Sequence, residues 1–172
     1  MFWTQLKSPI GLLTLSSNGL SITGLWMASH RALPQFSSTD FYSSSQLPVF
    51  QNTAKWLCAY FSKSVLPDFP SIAPDGTPFQ QAVWSQLLTI PYGRTTTYGT
   101  ISHHLQIQGI SASPQAVGGA VGRNPISILI PCHRVLGADG SLTGYAGGLT
   151  VKQQLLHLEG IPLPHELTSS RR

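Results

Sequence analysis

Cys132, His133 and Arg134 stand together in the stretch ILIPCHRVLG (Ile128 to Gly137), behind an apolar run and a proline. A proline places the cysteine rigidly. A histidine and a guanidinium one and two residues away are the company that depresses a thiol's pKa, and the thiolate is the nucleophilic form. The plainer alternative, a small core cysteine, stands beside this one. In extended chain adjacent side chains point to opposite faces, so His133 would reach Cys132 through a water unless the backbone turns there. A histidine used as a base calls for a carboxylate to orient it, and the chain has only six acidic residues. Asp40, Asp68, Asp75 and Asp139 lie in turn-like segments and Glu166 in the tail. Glu159 instead ends a helical pattern, where the macrodipole disfavours a carboxylate by about 0.3–1 kcal/mol. That misplacement marks it as the candidate partner.

The elements that must position these residues are legible in outline. SPIGLLTLSSNGLSITGLW (Ser8 to Trp26) reads as a β-hairpin about Asn18-Gly19, a dipeptide suited to a type I′ turn. Ser29 to Val49 reads as loop with one further strand or helix. Trp56, Leu57, Tyr60 and Phe61 recur at helical spacing from Thr53 to Phe61, which places Cys58 inside that helix as a buried, inert thiol. The proline-rich LPDFPSIAPDG (Leu66 to Gly76) marks the division into an N-terminal domain, residues 1–72, and a C-terminal domain, residues 73–172.

In the second domain Thr77, Pro78 and Gln80 announce a helix through N-cap, N1 proline and capping box. A short helix follows Thr97 and carries Ile101 and Leu105; another opens at Ser113-Pro114 and runs to Gly122, so the pair fits a helix-turn-helix. Gly118 and Gly119 inside the latter cost about 1 kcal/mol each relative to alanine. Either tight helix packing or a partner that approaches the backbone accounts for them. Ile126 to Ile130 reads as a buried strand, Ala138-Asp139-Gly140 as a turn, GYAGG as a glycine-rich loop, and Val151 to Glu159 as a last helix capped by Thr150 with Gln153 in its capping box.

Composition narrows the class. At 172 residues and 41% hydrophobic content the chain supports one domain, or two small ones sharing a core. No apolar run approaches roughly 18 residues and the start lacks a basic leader, so neither a membrane span nor a secretory signal is expected, and the cytoplasm is the expected compartment. Cys58 and Cys132 lie far apart without zinc-type spacing, and no metal is expected. The net charge of +4 divides evenly between the two domains and permits nucleic acid without pointing to it, since only 9% of residues are charged.

Taken together, GTPFQQAVW, IPYGRTTTYGTIS, AVGGAVGRNP, NPISILIPCHRV, GYAGG and LLHLEG resemble the O6-alkylguanine-DNA alkyltransferase family, over about Pro70 to Pro162. The hairpin and first helix are similar to the family's small N-terminal domain. The resemblance implies an α+β protein: an RNase H-like N-terminal domain on an antiparallel sheet, then a mostly helical, winged-helix-like domain. It implies direct, irreversible, single-turnover transfer of an alkyl group from O6-alkylguanine, and in some cases O4-alkylthymine, to Cys132, with nucleotide flipping from the minor groove and no cofactor.

Within that resemblance His133 is the base acting through water, Glu159 orients it, Asn124 holds the active-site turn, and Tyr98 helps rotate the nucleotide and protonate guanine. Val135, Tyr145, Ala146 and Gly147 line the base pocket. Thr97, Tyr98, Gln115, Ala116, Gly119 and Arg123 face DNA, with the helix from Pro114 in the minor groove, where small side chains permit close approach. The implied partner is double- or single-stranded DNA carrying the lesion, the implied state a monomer. Gln115 departs from the arginine that commonly fills the space of the flipped base, and the turn before it is longer than usual. A non-catalytic lesion-binding protein is the alternative of a different class; such relatives replace the acceptor cysteine. A sequence-reading regulator lacks base-reading side chains on its helix, and a cysteine hydrolase would turn over.

Overall fold

The computed structural model describes residues 1–30 and 46–162. The chain divides into two compact units, Met1–Asp75 with Pro125–Ser127, and Gly76–Asn124 with the residues from Ile128 onward. The protein is α+β.

The first unit holds an antiparallel sheet of β1 (Phe2–Ser8), β2 (Gly11–Ser17) and β3 (Ile22–Met27) in that order, with α1 (Pro48–Phe61). Strand β1, which the hairpin reading leaves out, pairs along its whole length with β2, from Phe2 opposite Ser17 to Ser8 opposite Gly11. The expected hairpin forms between β2 and β3, but not through a two-residue turn. Asn18 Oδ1 accepts from the backbone N–H groups of Leu20 and Ser21 at 3.0 and 2.9 Å, which widens the loop to residues 18–21. Leu13, Leu15, Leu25 and Met27 are buried on the sheet, and Trp56, Leu57 and Tyr60 on α1.

Helix α1 starts at Pro48, ahead of the predicted Thr53, because Pro48 sits in its first turn and Val49 and Phe50 extend its buried face. Cys58 is exposed, contrary to expectation. The buried positions Thr53, Trp56, Leu57 and Tyr60 follow the i, i+3, i+4, i+7 stripe, and Cys58 lies off it. Ser29 to Val49 falls largely outside the described residues.

The predicted strand over Ile126–Ile130 does not form. Only Ile126 pairs, in a single parallel bridge to Leu25: Leu25 N–H donates to Pro125 O at 2.9 Å and Ser127 N–H to Leu25 O at 3.0 Å. Ile128 then takes φ +70°, a left-handed conformation that ends any strand and is strained for a β-branched residue.

The second unit packs α2 (Pro78–Leu88), α3 (Tyr98–Ile107), α4 (Pro114–Gly122) and α5 (Leu149–Leu158), with two-residue strands β4 (Thr96–Thr97) and β5 (Val135–Leu136) paired in parallel. Thr77 caps α2 in a complete capping box. Thr97 and Ser113 cap α3 and α4 by accepting from Thr100 and Ala116 N–H. Trp84 is buried and its Nε1–H donates to Ala120 O at 2.9 Å, fixing α2 against α4. Ser102 and Gln106 side chains both donate to Ala112 O, at 3.0 and 2.7 Å, and so tie down the long turn of the helix-turn-helix.

Helix α5 starts earlier than predicted. Gly148, at φ +88°, swings the chain into Leu149 with no side-chain cap, so Thr150 lies inside the first turn and the expected capping box is absent.

Candidate active site

Cys132 follows Pro131 into one turn of 3₁₀-helix, Cys132–Arg134. Its N–H donates to Ile130 O at 2.8 Å and that of Arg134 to Pro131 O at 3.0 Å. The backbone therefore turns where an extended chain would have sent His133 and Cys132 to opposite faces. Asn124, just past the end of α4, holds this turn from inside: its Nδ2 donates to Ile130 O at 2.8 Å and lies 3.1 Å from Cys132 Sγ.

His133 is fully buried and its Nε2 is 2.7 Å from Glu159 Oε1. Glu159 follows α5 directly, at the end of the helix where a carboxylate is disfavoured. Other contacts offset that. Arg134 Nε donates to Oε2 at 2.8 Å and Nη2 to Oε1 at 3.0 Å, while Gly93 N–H donates to Oε2 at 3.1 Å. Arg134 Nη1 also donates to Ile90 O, 2.6 Å away, and its guanidinium lies over the Tyr92 ring. The arginine expected beside the thiol is thus a clamp on the carboxylate.

These surroundings set the ionisation of the site. Burial pushes the Cys132 thiol up, against the hydrogen bond from Asn124 and the charge of Lys152, both of which favour thiolate. The thiol is therefore not depressed by Arg134, as the sequence suggested. Burial pulls the His133 imidazole down, and the Glu159 carboxylate opposes it.

The remaining candidates fall in two groups. Tyr98, at the start of α3, donates its hydroxyl to Thr143 O at 3.3 Å, and its ring edge is 3.7 Å from where a side chain on Gly118 would begin. Gln115, Ala116 and Arg123 are exposed and Gly119 half-buried, all on one side of α4. Arg123 Nη1 folds back to donate to Gly119 O at 3.2 Å. Thr97 is occupied as the cap of α3. Val135 and Gly147 are buried, Tyr145 and Ala146 half-buried.

Sequence reasoning missed Lys152, whose Nζ donates to Val135 O at 2.6 Å and Thr143 O at 2.8 Å. The signal was present: Lys152, Leu155, Leu156 and Glu159 stand at i, i+3, i+4 and i+7, so a lysine occupies the inner face of α5. Among the described residues no cluster of metal-ligating side chains occurs, and no helix is long and apolar enough to cross a membrane.

The family described as 6-O-methylguanine DNA methyltransferase, DNA binding domain, matches residues 78–161. A methylated-DNA–protein-cysteine methyltransferase of Haemophilus influenzae is 43% identical, over 94% of this chain and 88% of that one. Its namesake from Mycobacterium tuberculosis is 42% identical, over 96% of each. The crystal structure of Mycobacterium tuberculosis OGT in complex with DNA superposes with a TM-score of 0.79 at 39% identity, covering 98% of both chains. With its cysteine turn, buried histidine–glutamate pair and helix-turn-helix inside the matching segment, the chain belongs to the methylated-DNA–protein-cysteine methyltransferase family.

Proposed function

We propose that the protein repairs DNA directly by moving the alkyl group of O6-alkylguanine onto Cys132, once per chain. The observation that carries this reading is the buried thiol held 3.1 Å from Asn124 Nδ2, next in sequence to a histidine whose Nε2 is engaged by Glu159. With Nε2–H directed at the carboxylate, Nδ1 is the nitrogen that takes the thiol's proton, through a bridging water. The sulfur then attacks the alkyl carbon in line. A carbon–sulfur bond forms, the carbon–oxygen bond breaks, and its electron pair passes to guanine, which takes a proton with the help of Tyr98. The thioether offers no route back to thiol, so the step balances without a cofactor.

DNA meets α4 through its minor groove. The exposed side with Gln115, Ala116 and Gly119 presents little side-chain bulk, and Thr97, Tyr98 and Arg123 flank it. The target nucleotide is flipped into a pocket lined by Val135, Tyr145, Ala146 and Gly147, at a cost of a few kcal/mol that is lowest for a weakened lesion pair or a single strand. The protein acts as a monomer in the cytoplasm on double- or single-stranded DNA.

Weighing the intact chain after reaction with DNA carrying a labelled O6-methyl group tests this reading. One methyl group per chain, mapped to Cys132, is expected. Repeated turnover, label on Cys58, or binding without any mass gain would overturn it.

A further inference from the structure

Lys152 is buried with no exposed surface. Its Nζ donates to three backbone carbonyls: Val135 O at 2.6 Å, Thr143 O at 2.8 Å and, more weakly, Gly144 O at 3.4 Å. Those bonds use every donor of an ammonium group. Carbonyl dipoles satisfy the donors without cancelling the charge, and among the described residues no carboxylate lies at ion-pair distance from Lys152. A charge kept in such a place calls for a use, because an unpaired buried ammonium is costly.

The carbonyls show what the ammonium group connects. Val135 follows directly on the turn that carries Cys132; Thr143 and Gly144 belong to the loop leading to Tyr145 and Gly147. Thr143 O is shared, since it also accepts from the Tyr98 hydroxyl at 3.3 Å. The ionisable groups around Cys132 are His133 and Arg134 on its own turn, Lys152 on α5 and Glu159 directly after it. Arg134 and Glu159 cancel in their two-pronged pair, and burial favours neutral His133. One positive charge remains, that of Lys152.

We propose that Lys152 is a positioning residue of the transfer reaction: its ammonium group, seated on three carbonyls, is the uncompensated positive charge that stabilises the Cys132 thiolate, and it clasps the 143–144 loop to the cysteine turn. The proposal rests on Cys132 being the acceptor. Burial pushes the Lys152 ammonium down to about 8 and the Cys132 thiol up, and the attraction between the two charged forms opposes both changes. Ionisation of the thiol therefore places a negative charge beside the one positive charge that Arg134 and Glu159 leave uncompensated.

Methyl iodide tests this without DNA. Sulfur bonds to the methyl carbon as the carbon–iodine bond breaks and iodide leaves with the pair, so the rate follows the thiolate fraction. Peptide masses separate Cys132 from the exposed Cys58, which serves as internal reference. Lys152→Met should slow methylation of Cys132 by about tenfold or more near neutral pH, equivalent to a rise of about one pKa unit, with Cys58 unaffected. Lys152→Arg keeps the charge and should retain most of the rate. An unchanged rate in Lys152→Met, or equal losses in both variants, would overturn the proposal.

Should Lys152→Met fail to fold by circular dichroism, Lys152→Gln takes its place, with the same expected loss at Cys132 and the same overturning outcome. Methyl transfer from DNA to Cys132 alongside a failed methyl iodide test sinks this proposal alone, whereas transfer to another residue sinks the acceptor assignment beneath it.

Discussion

Arg134 grips both carboxylate oxygens of Glu159, at 2.8 and 3.0 Å, while the same carboxylate receives His133 Nε2 at 2.7 Å. The acid that orients the histidine is therefore half of a buried ion pair. Removing its charge has two consequences, one at His133 and one at Arg134.

Glu159→Gln should slow alkyl transfer at least about tenfold, because the imidazolium that forms as the thiol ionises loses its counter-charge. It should also destabilise the protein, by about 3–5 kcal/mol if Arg134 stays buried without a partner. DNA affinity should change little. Single-turnover rates, thermal melts and binding to unmodified DNA separate the three effects, and a parallel fall in rate and affinity would mark the residue as merely structural.

Gln115 follows Pro114 on the first turn of α4 and is exposed. An arginine there would add a charge for phosphate and a planar group able to stack where the flipped base had been. Gln115→Arg should raise the transfer rate on duplex DNA and leave the single-strand rate nearly unchanged. An equal gain on both substrates would indicate general attraction, and no gain would mean that Arg123 or the long α3–α4 turn already fills the gap.

Gly119→Ala separates the fold from the interface. A methyl group there would lie 3.3 Å from Arg123 Nη1, the end of a flexible side chain. Alanine should stabilise α4 by up to about 1 kcal/mol through helix propensity. If the backbone of α4 enters a narrow groove, the same substitution should weaken DNA binding. A variant that melts higher and binds worse is the expected outcome; unaltered affinity would remove Gly119 from the DNA contact.

Two histidines make stability depend on pH. Burial lowers the pKa of His133 and of His30, whose Nδ1 accepts from Met27 N–H at 3.1 Å and so requires a neutral ring. Below the ordinary value of 6.5 the unfolded chain binds these protons and the folded chain resists them. Their contribution is therefore fully present above pH 6.5 and is lost as pH falls below it. Melting temperatures should drop between pH 7 and 5. His30→Gln, which keeps an acceptor for Met27 but cannot titrate, should flatten part of that slope.

Local chemistry made much of this fold legible. Thr77 and Ser113 announce their helices because a cap is a matter of a few adjacent residues, and each caps where expected. Glu159 was legible through its misplacement at a helix end. What escaped depends on distant partners. The apolar run before Pro131 reads as a strand, but no strand pairs along it; Leu25 takes Ile126 alone and Ile128 turns away. Arg134 reads as a neighbour of the thiol because it is near in sequence, yet the turn aims it at Glu159. Lys152 looks like any helix lysine until the buried stripe of α5 is counted.

The bridge between Leu25 and Ile126 also bears on how the protein is made. Strand β3 leaves the ribosome early, whereas its partner segment and the cysteine turn behind it emerge only after α2, α3 and α4 have been synthesised. Pro125 O and Ser127 N–H depend on Leu25 for their hydrogen bonds, so the chain leading into Cys132 is anchored by residues translated long before it. The contact therefore cannot close before those helices have been made, and α5 with Lys152, followed by Glu159, emerges later still. The surroundings of the thiol are complete only when nearly all of the described chain has been synthesised.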